Sequence, residues 1–181
     1  YYTEKGWEAS DLTSFEWTDI GDVCVCAVLE RRISKSVIRQ KVTFYADSAV
    51  IRFDTYVDWK EHQHLLKVHF PVDIHTDEAA FDNLTRKIHR NTSWDEARFE
   101  SCGQKWMDMS EGHYGVSLLN DCKYGVGVRN GVIGMSMLKS AIHPNPEADK
   151  ELHEFTYSIY PHQGGWREAG TVKQAYQINN P

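Results

Sequence analysis

The stretch His89-Arg90-Asn91-Thr92-Ser93-Trp94-Asp95-Glu96-Ala97-Arg98-Phe99-Glu100 gathers more polar chemistry than any other part of the chain. It holds two guanidiniums, three carboxylates, an imidazole, an amide and an indole, with no Gly or Pro. Such a run between strands either binds something or ties down a structural corner. Asp95, Glu96 and Glu100 invite a two-carboxylate glycosidase reading, although spacing along a chain does not measure carboxylate separation. His62-Gln63-His64 would place two imidazoles on one strand face, with His69 further along. A zinc site would need its remaining ligands from elsewhere, so a solvent-facing strand edge is the simpler reading. Tyr2, Trp7, Trp59, Trp94, Trp106, Tyr114, Tyr124 and Trp166 could stack on sugar rings, though aromatics of a sandwich usually fill its core. Asn83-Leu84-Thr85 and Asn91-Thr92-Ser93 match glycosylation acceptors, which matter only in a secreted protein. There is no glycine-rich phosphate loop, Gly-x-Ser-x-Gly elbow or His-Glu-x-x-His helix.

The elements that must position these groups are strands. Val23 to Leu29 is a continuous apolar run rich in Val, a buried strand. Val37 to Tyr45 and Ala49 to Trp59 form a hairpin around Ala46-Asp47-Ser48. In its second arm Ile51, Phe53, Val57 and Trp59 share one face, and Arg52, Asp54 and Asp58 the other. Leu65 to Val72 and, more weakly, Ala79 to Thr85 read as strands. Arg98 to Glu100 and Lys105 to Met109 alternate around a turn at Cys102-Gly103, and Tyr114 to Leu119 is a buried strand. Cys122 to Val128 and Val132 to Leu138 pair across Arg129-Asn130-Gly131, where Asn-Gly is a strong hairpin signal. Phe155 to Tyr160 alternates and Pro161 to Trp166 reads as loop. Val172, Ala175 and Tyr176 at helical spacing predict a short closing helix over Glu168 to Ile178. Tyr1 to Asp19 reads as a polar lead-in whose Trp7, Phe15 and Trp17 pack across the core. About eleven short strands predict an all-β fold: one large antiparallel β-sandwich spanning residues 1–181, with one short C-terminal helix.

The net charge of -6 argues against a nucleic-acid partner, because phosphate neutralisation needs a basic face. No apolar run approaches the roughly 18 residues that would span a bilayer. Cys24, Cys26, Cys102 and Cys122 do not have zinc-ribbon spacing and read as reduced, half-buried thiols.

One series of residues runs through His64-Leu65-Leu66-Lys67-Val68-His69-Phe70-Pro71-Val72, Arg86, His89 to Asp95 and Arg98-Phe99-Glu100. It continues through Trp106, Asp108-Met109-Ser110-Glu111, Tyr114 to Gly125, His153-Glu154-Phe155-Thr156-Tyr157 and Tyr160-Pro161-His162. In these residues, in order and at compatible spacing, the chain resembles the C-terminal β-domain of the family 38 glycoside hydrolases, the α-mannosidases, in their cytosolic and bacterial branch. Arg86-Lys87-Ile88-His89 departs from the usual Arg-Pro-Thr-His, and loss of the proline frees the backbone there. The resemblance implies a supersandwich of galactose mutarotase-like fold. It also implies zinc-assisted, retaining hydrolysis of terminal α-mannose from oligosaccharides. The zinc, the nucleophile and the acid/base would belong to an N-terminal catalytic domain of the same chain, so no catalytic or metal residue is assigned within these 181 residues. The segment holding Arg86, His89, Arg90, Asn91, Trp94 and Asp95 would be the part facing substrate or the inter-domain cleft. A cytoplasmic setting follows from the branch alone, and self-association is left open. A different class, a carbohydrate-binding or interaction module acting without a partner domain, fits the residues read by themselves.

Overall fold

In a computed structural model the described residues are 6, 8–82, 85–87 and 100–180, with residues 85–87 described as backbone only. They form thirteen strands and one helix in two antiparallel sheets. The strands are β1 (Leu12–Ile20), β2 (Cys24–Ile33), β3 (Ser36–Tyr45), β4 (Ile51–Asp58), β5 (Leu65–Pro71), β6 (Glu78–Phe81) and β7 (Thr85–Lys87). They continue with β8 (Ser101–Cys102), β9 (Trp106–Glu111), β10 (Tyr114–Asn120), β11 (Gly125–Arg129), β12 (Val132–Lys139) and β13 (Leu152–Gln163). The helix α1 is Thr171–Asn179. The larger sheet has nine strands in the order β1-β2-β3-β4-β13-β10-β9-β6-β7, and the smaller has four in the order β5-β12-β11-β8.

Apolar residues every second position give the facing surfaces that the two sheets bury against each other. From the larger sheet come Val57, Met107, Met109, Val116, Leu118, Phe155 and Tyr157, and from the smaller Leu66, Val126, Ile133 and Met135. Tyr157 stacks on Phe53 with centroids 5.0 Å apart, and Phe70 of the other sheet closes on both rings. The Gln40 amide donates to the Tyr157 hydroxyl at 2.7 Å. Burial pushes that hydroxyl up to about 12, against the opposing pull of its hydrogen bond with Gln40.

Turn chemistry fixes the hairpin registers. Arg129 pairs with Val132, so Asn130 and Gly131 are the two turn residues, with φ of 53° and 70°. Two consecutive positive φ angles define the type I′ turn that Asn-Gly favours. Glu111 likewise pairs with Tyr114 across Gly112, where φ is 51°.

Six expectations need correction. The weak strand over 79–85 is two strands, β6 and β7, paired as Glu78 with Lys87 and Ala79 with Arg86. Arg98 and Phe99 lie outside the described residues, and the expected turn at Cys102-Gly103 parts two sheets: Cys102 belongs to β8 of the smaller sheet and Lys105 to Met109 leads into β9 of the larger. Pro161 and His162 are not loop but the end of β13, held in register opposite Val116 and Gly115. Within the expected lead-in, Leu12–Ile20 is an edge strand exposed along its length, so Phe15 and Trp17 do not pack into the core. The closing helix starts three residues later than spacing suggested. Its N-cap is Gly170, with φ of 70° and no capping side chain, so packing against the sheet defines its start. All four cysteines are free, with Cys26 buried, Cys24 half-buried, and Cys102 and Cys122 exposed rather than half-buried.

Candidate functional site

The polar segment is strung between two sheet edges. It leaves β7, the edge of the nine-stranded sheet, and its far end, Glu100, leads into β8, the edge of the four-stranded sheet. Arg86 is placed in β7 opposite Ala79. His89, Arg90, Asn91, Trp94 and Asp95 lie outside the described residues.

The far foot of this segment is anchored by a carboxylate. Glu100 accepts from Lys67 Nζ at 2.6 Å and from the Ser136 hydroxyl. It lies over Gly125, where a Cβ would stand 2.5 Å from Glu100 Oε2, so glycine is what lets the carboxylate reach across β11. Asp82, between β6 and β7, accepts the backbone N–H of Gln104 at 2.9 Å and of Lys105 at 2.7 Å, which ties the end of β6 to the approach to β9. Glu100 therefore acts as an anchor on the smaller sheet, and its ion pair with Lys67 leaves it poorly suited to attack a sugar carbon. Of the carboxylates weighed for glycosidase chemistry, Asp95 and Glu96 fall outside the described residues.

The histidines do not gather. His62 and His64 precede β5 in a bend rather than sharing a strand face, with Gln63 between them at φ of 54°. His64 Nδ1 is bonded to the His62 carbonyl. His69 stands in β5 beside Gly134. Among the described residues no three His, Cys, Asp or Glu side chains come together as metal ligands. Trp59 and Trp106 are buried in the cores, Trp166 packs on Trp106 at 4.8 Å, and Tyr114 and Tyr124 are exposed. Tyr2, Trp7 and Trp94 lie outside the described residues.

A buried polar cluster was not anticipated from the sequence. Asp108 and Ser110 of β9, Ser117 of β10, His162 of β13 and Thr171 of α1 converge on the outer face of the larger sheet, beneath the helix. Ser117 donates to Asp108 Oδ2 at 2.7 Å, and His162 Nε2 lies 2.8 Å from the same oxygen. Ser110 donates to Asp108 Oδ1. A hydroxyl has one proton to give. Since Ser117 gives its own to Asp108, the 2.7 Å contact with Thr171 Oγ1 is donated by Thr171.

Serine, histidine and aspartate in contact invite comparison with a nucleophilic triad, and the geometry rejects it. A triad needs one ring nitrogen on the serine and the other on the carboxylate. Here Nε2 carries the carboxylate contact, and Nδ1 has no partner among the described residues. Ser117 is 0% exposed, so no substrate reaches it. The cluster is a clasp that fastens α1 to β9, β10 and β13. Gly115 makes room for it: a Cβ there would stand 2.3 Å from His162 Cε1. A weak signal was present in the sequence. Asp108 and Ser110 are polar at alternate positions of an otherwise buried strand, which marks a second covered face.

The fold is a two-sheet antiparallel sandwich shared with a solved α-mannosidase from Enterococcus faecalis V583. That structure superposes with a TM-score of 0.82 over 94% of this chain and 24% of its own, at 16% identity. The chain belongs to the glycosyl hydrolases of family 38, as their C-terminal domain, whose family description matches residues 1–147. It is 41% identical to human Alpha-mannosidase 2C1 over 150 residues, covering 81% of this chain and 14% of that protein. It is 44% identical to Alpha-mannosidase G of Dictyostelium discoideum over 147 residues, covering 79% of this chain and 14% of that protein. The chain thus spans about 14% of the length of these curated relatives. No helix among the described residues is long and apolar enough to cross a membrane.

Proposed function

We propose that this chain is the C-terminal part of an α-mannosidase that removes terminal α-linked mannose from oligosaccharides by a zinc-assisted, retaining mechanism, in the cytoplasm. The observation that carries the reading is the 41% identity to human Alpha-mannosidase 2C1 along most of this chain. Zinc, nucleophile and acid/base belong to the N-terminal catalytic domain of the same polypeptide. The C-terminal part is not catalytic by itself. Its task is to frame the substrate cleft with the segment from Arg86 to Asp95. That segment suits the task because it starts from β7, the edge of the larger sheet, and leads to Glu100, which is held by Lys67 on the smaller sheet. An arginine held on such a frame offers planar, paired donors to sugar hydroxyls or to a carboxylate of the catalytic domain.

The test uses the full-length enzyme. Arg86→Ala and Arg90→Ala should each lower kcat/KM on an aryl α-mannoside about ten- to hundred-fold, equivalent to about 1.5–3 kcal/mol for hydrogen bonds to a charged group. Arg39→Ala, an exposed side chain of β3, is the control and should leave it unchanged. If kcat/KM per folded molecule is unchanged in both loop variants while Tm falls, the segment is a structural corner and the cleft assignment is wrong. The 181-residue chain by itself should not turn over the same substrate with or without added zinc.

A further inference from the structure

The larger sheet is wider than its cover. Residues directly opposite one another across antiparallel strands point to the same face. One row runs Tyr157, Phe53, Val42, Ala27, Trp17, and the next runs Phe155, Thr55, Gln40, Leu29, Phe15. Both begin in the core between the two sheets and end on β1. Leu12 and Ile20 end the flanking rows on that same face. Phe155 and Tyr157 are each 2% exposed, while Leu12, Phe15, Trp17 and Ile20 are 46%, 49%, 51% and 78% exposed. In the rows that end at Phe15, Trp17 and Ile20 the side chains on β2 and β1 stay apolar where the second sheet no longer covers them, whereas Leu12 lies opposite Arg31. Phe15 and Trp17 sit edge to face at 5.3 Å, a preformed aromatic surface with nothing above it among the described residues. The reverse face of the same strands is polar: Ser14 pairs with Glu30 and then Arg39, and Lys41 is bridged to Asp19 at 3.0 Å. A contiguous apolar face backed by a charged one marks a surface meant to be covered.

We infer that the core-side face of β1 and β2 is an interface for another part of the same polypeptide, which completes the sandwich beyond the edge of the four-stranded sheet. The inference rests on the reading that these residues belong to a longer chain. Its occupant follows from proportion and continuity. These residues span about 14% of the curated relatives, so most of such a polypeptide lies outside them. The exposed rows are direct extensions of a core already closed within this chain, so a covalently attached layer continues it without a separate association step. The segment that docks presents apolar side chains to Phe15 and Trp17.

The experiment is photocrosslinking in the full-length enzyme, with p-benzoylphenylalanine replacing Phe15, a change that keeps the aromatic ring and extends it by a photoreactive benzoyl group. Irradiation should join position 15 to a peptide of the same polypeptide from outside these 181 residues, with an unchanged monomer mass on a denaturing gel. The yield should not depend on enzyme concentration. A concentration-dependent species of twice the mass would overturn the inference in favour of a second copy, and absence of any protein crosslink would overturn it in favour of an open face. Trp17→Glu should lower Tm of the full-length enzyme by several degrees, whereas Thr18→Glu, one residue along the same strand, should not. Equal Tm values for the two variants would also count against the interface. Hydrolysis of an aryl α-mannoside by the unmodified enzyme is scored separately, so loss of the enzymatic reading and loss of the interface are told apart.

Discussion

Asp108 shows how one side chain can organise an element's attachment. It accepts from Ser110, Ser117 and His162, and through Ser117 it reaches Thr171 of the helix. Removing an acceptor buried among three donors leaves each with a desolvation cost and no partner. Asp108→Ala should therefore destabilise the fold by about 3–5 kcal/mol, read from denaturant midpoints at constant m. Ser117→Ala should cost about 1–2 kcal/mol, since Asp108 keeps its other donors. If both are neutral, the clasp contributes nothing. Glu61 offers a pH-dependent counterpart. Burial raises its carboxyl pKa, but the Lys35 backbone N–H and the Ser36 hydroxyl, each at 2.9 Å, and the field of His64 outweigh this and hold it below the usual range. A depressed folded-state value means stability that is complete above the unfolded value of about 4.3 and is lost as pH falls through the lower folded one. Glu61→Gln should thus be less stable than the native chain at pH 7, and the gap should narrow on acidification from about pH 5. A gap that stays constant down to pH 3 would contradict that linkage.

At the scale of elements, the turn at Asn130-Gly131 carries a direct test of hairpin register. Gly131 has φ of 70°, and a Cβ there would stand 3.1 Å from the Val72 carbonyl. A β-branched residue is strained in that region whatever its surroundings. Gly131→Val should cost about 1–3 kcal/mol, measured by chemical denaturation, while Asn130→Gly should be nearly neutral because glycine takes the same φ freely. This turn was legible because two residues of fixed preference sit between two alternating runs. The β3–β4 hairpin and α1 were legible for the same local reasons, periodicity and punctuation. What was not legible is which sheet a strand joins. The Cys102-Gly103 turn looks like a hairpin in sequence, yet β8 and β9 separate into different sheets, because pairing partners are chosen by long-range burial rather than by the turn. The end of β13 was missed because Pro161 suggested a break. In the structure Pro161 remains in register opposite Val116, beyond the last β4 pair at Ile159 and Ile51, so β13 has one neighbour there and the missing N–H donor is tolerated. The clasp was missed with it: without His162 in a strand, Asp108 and Ser117 had no third partner. The candidate segment was legible as chemistry, but of its site residues only Arg86 has a place among the described residues.

Across the whole molecule, burial is distributed unevenly along the larger sheet. Leu118 at its middle is 0% exposed beneath the smaller sheet, while every residue of β1 is exposed. Truncation at the middle should be felt through both sheets, so Leu118→Ala should cost about 2–5 kcal/mol. Truncation at the edge should instead change association. A contiguous apolar edge strand with an unpaired row of backbone groups is a template for self-pairing when nothing covers it. The 181-residue chain expressed alone should therefore bind the apolar dye ANS and associate with increasing concentration, which the full-length enzyme should not do. Replacing Trp17 and Ile20 together with lysine places charge on the uncovered edge, a device that natural sheets use against edge pairing. That double variant should lower dye binding several-fold and shift the sedimentation coefficient to that of a monomer, with the far-ultraviolet circular dichroism unchanged. The reason is one of position: both residues end rows that are apolar from the core outwards, and neither supports the clasp or the inter-sheet core. A lysine variant that still associates would mean that the contact lies elsewhere on the surface. Loss of the β spectrum would instead show that β1 is part of the folding core, against its exposure along its length.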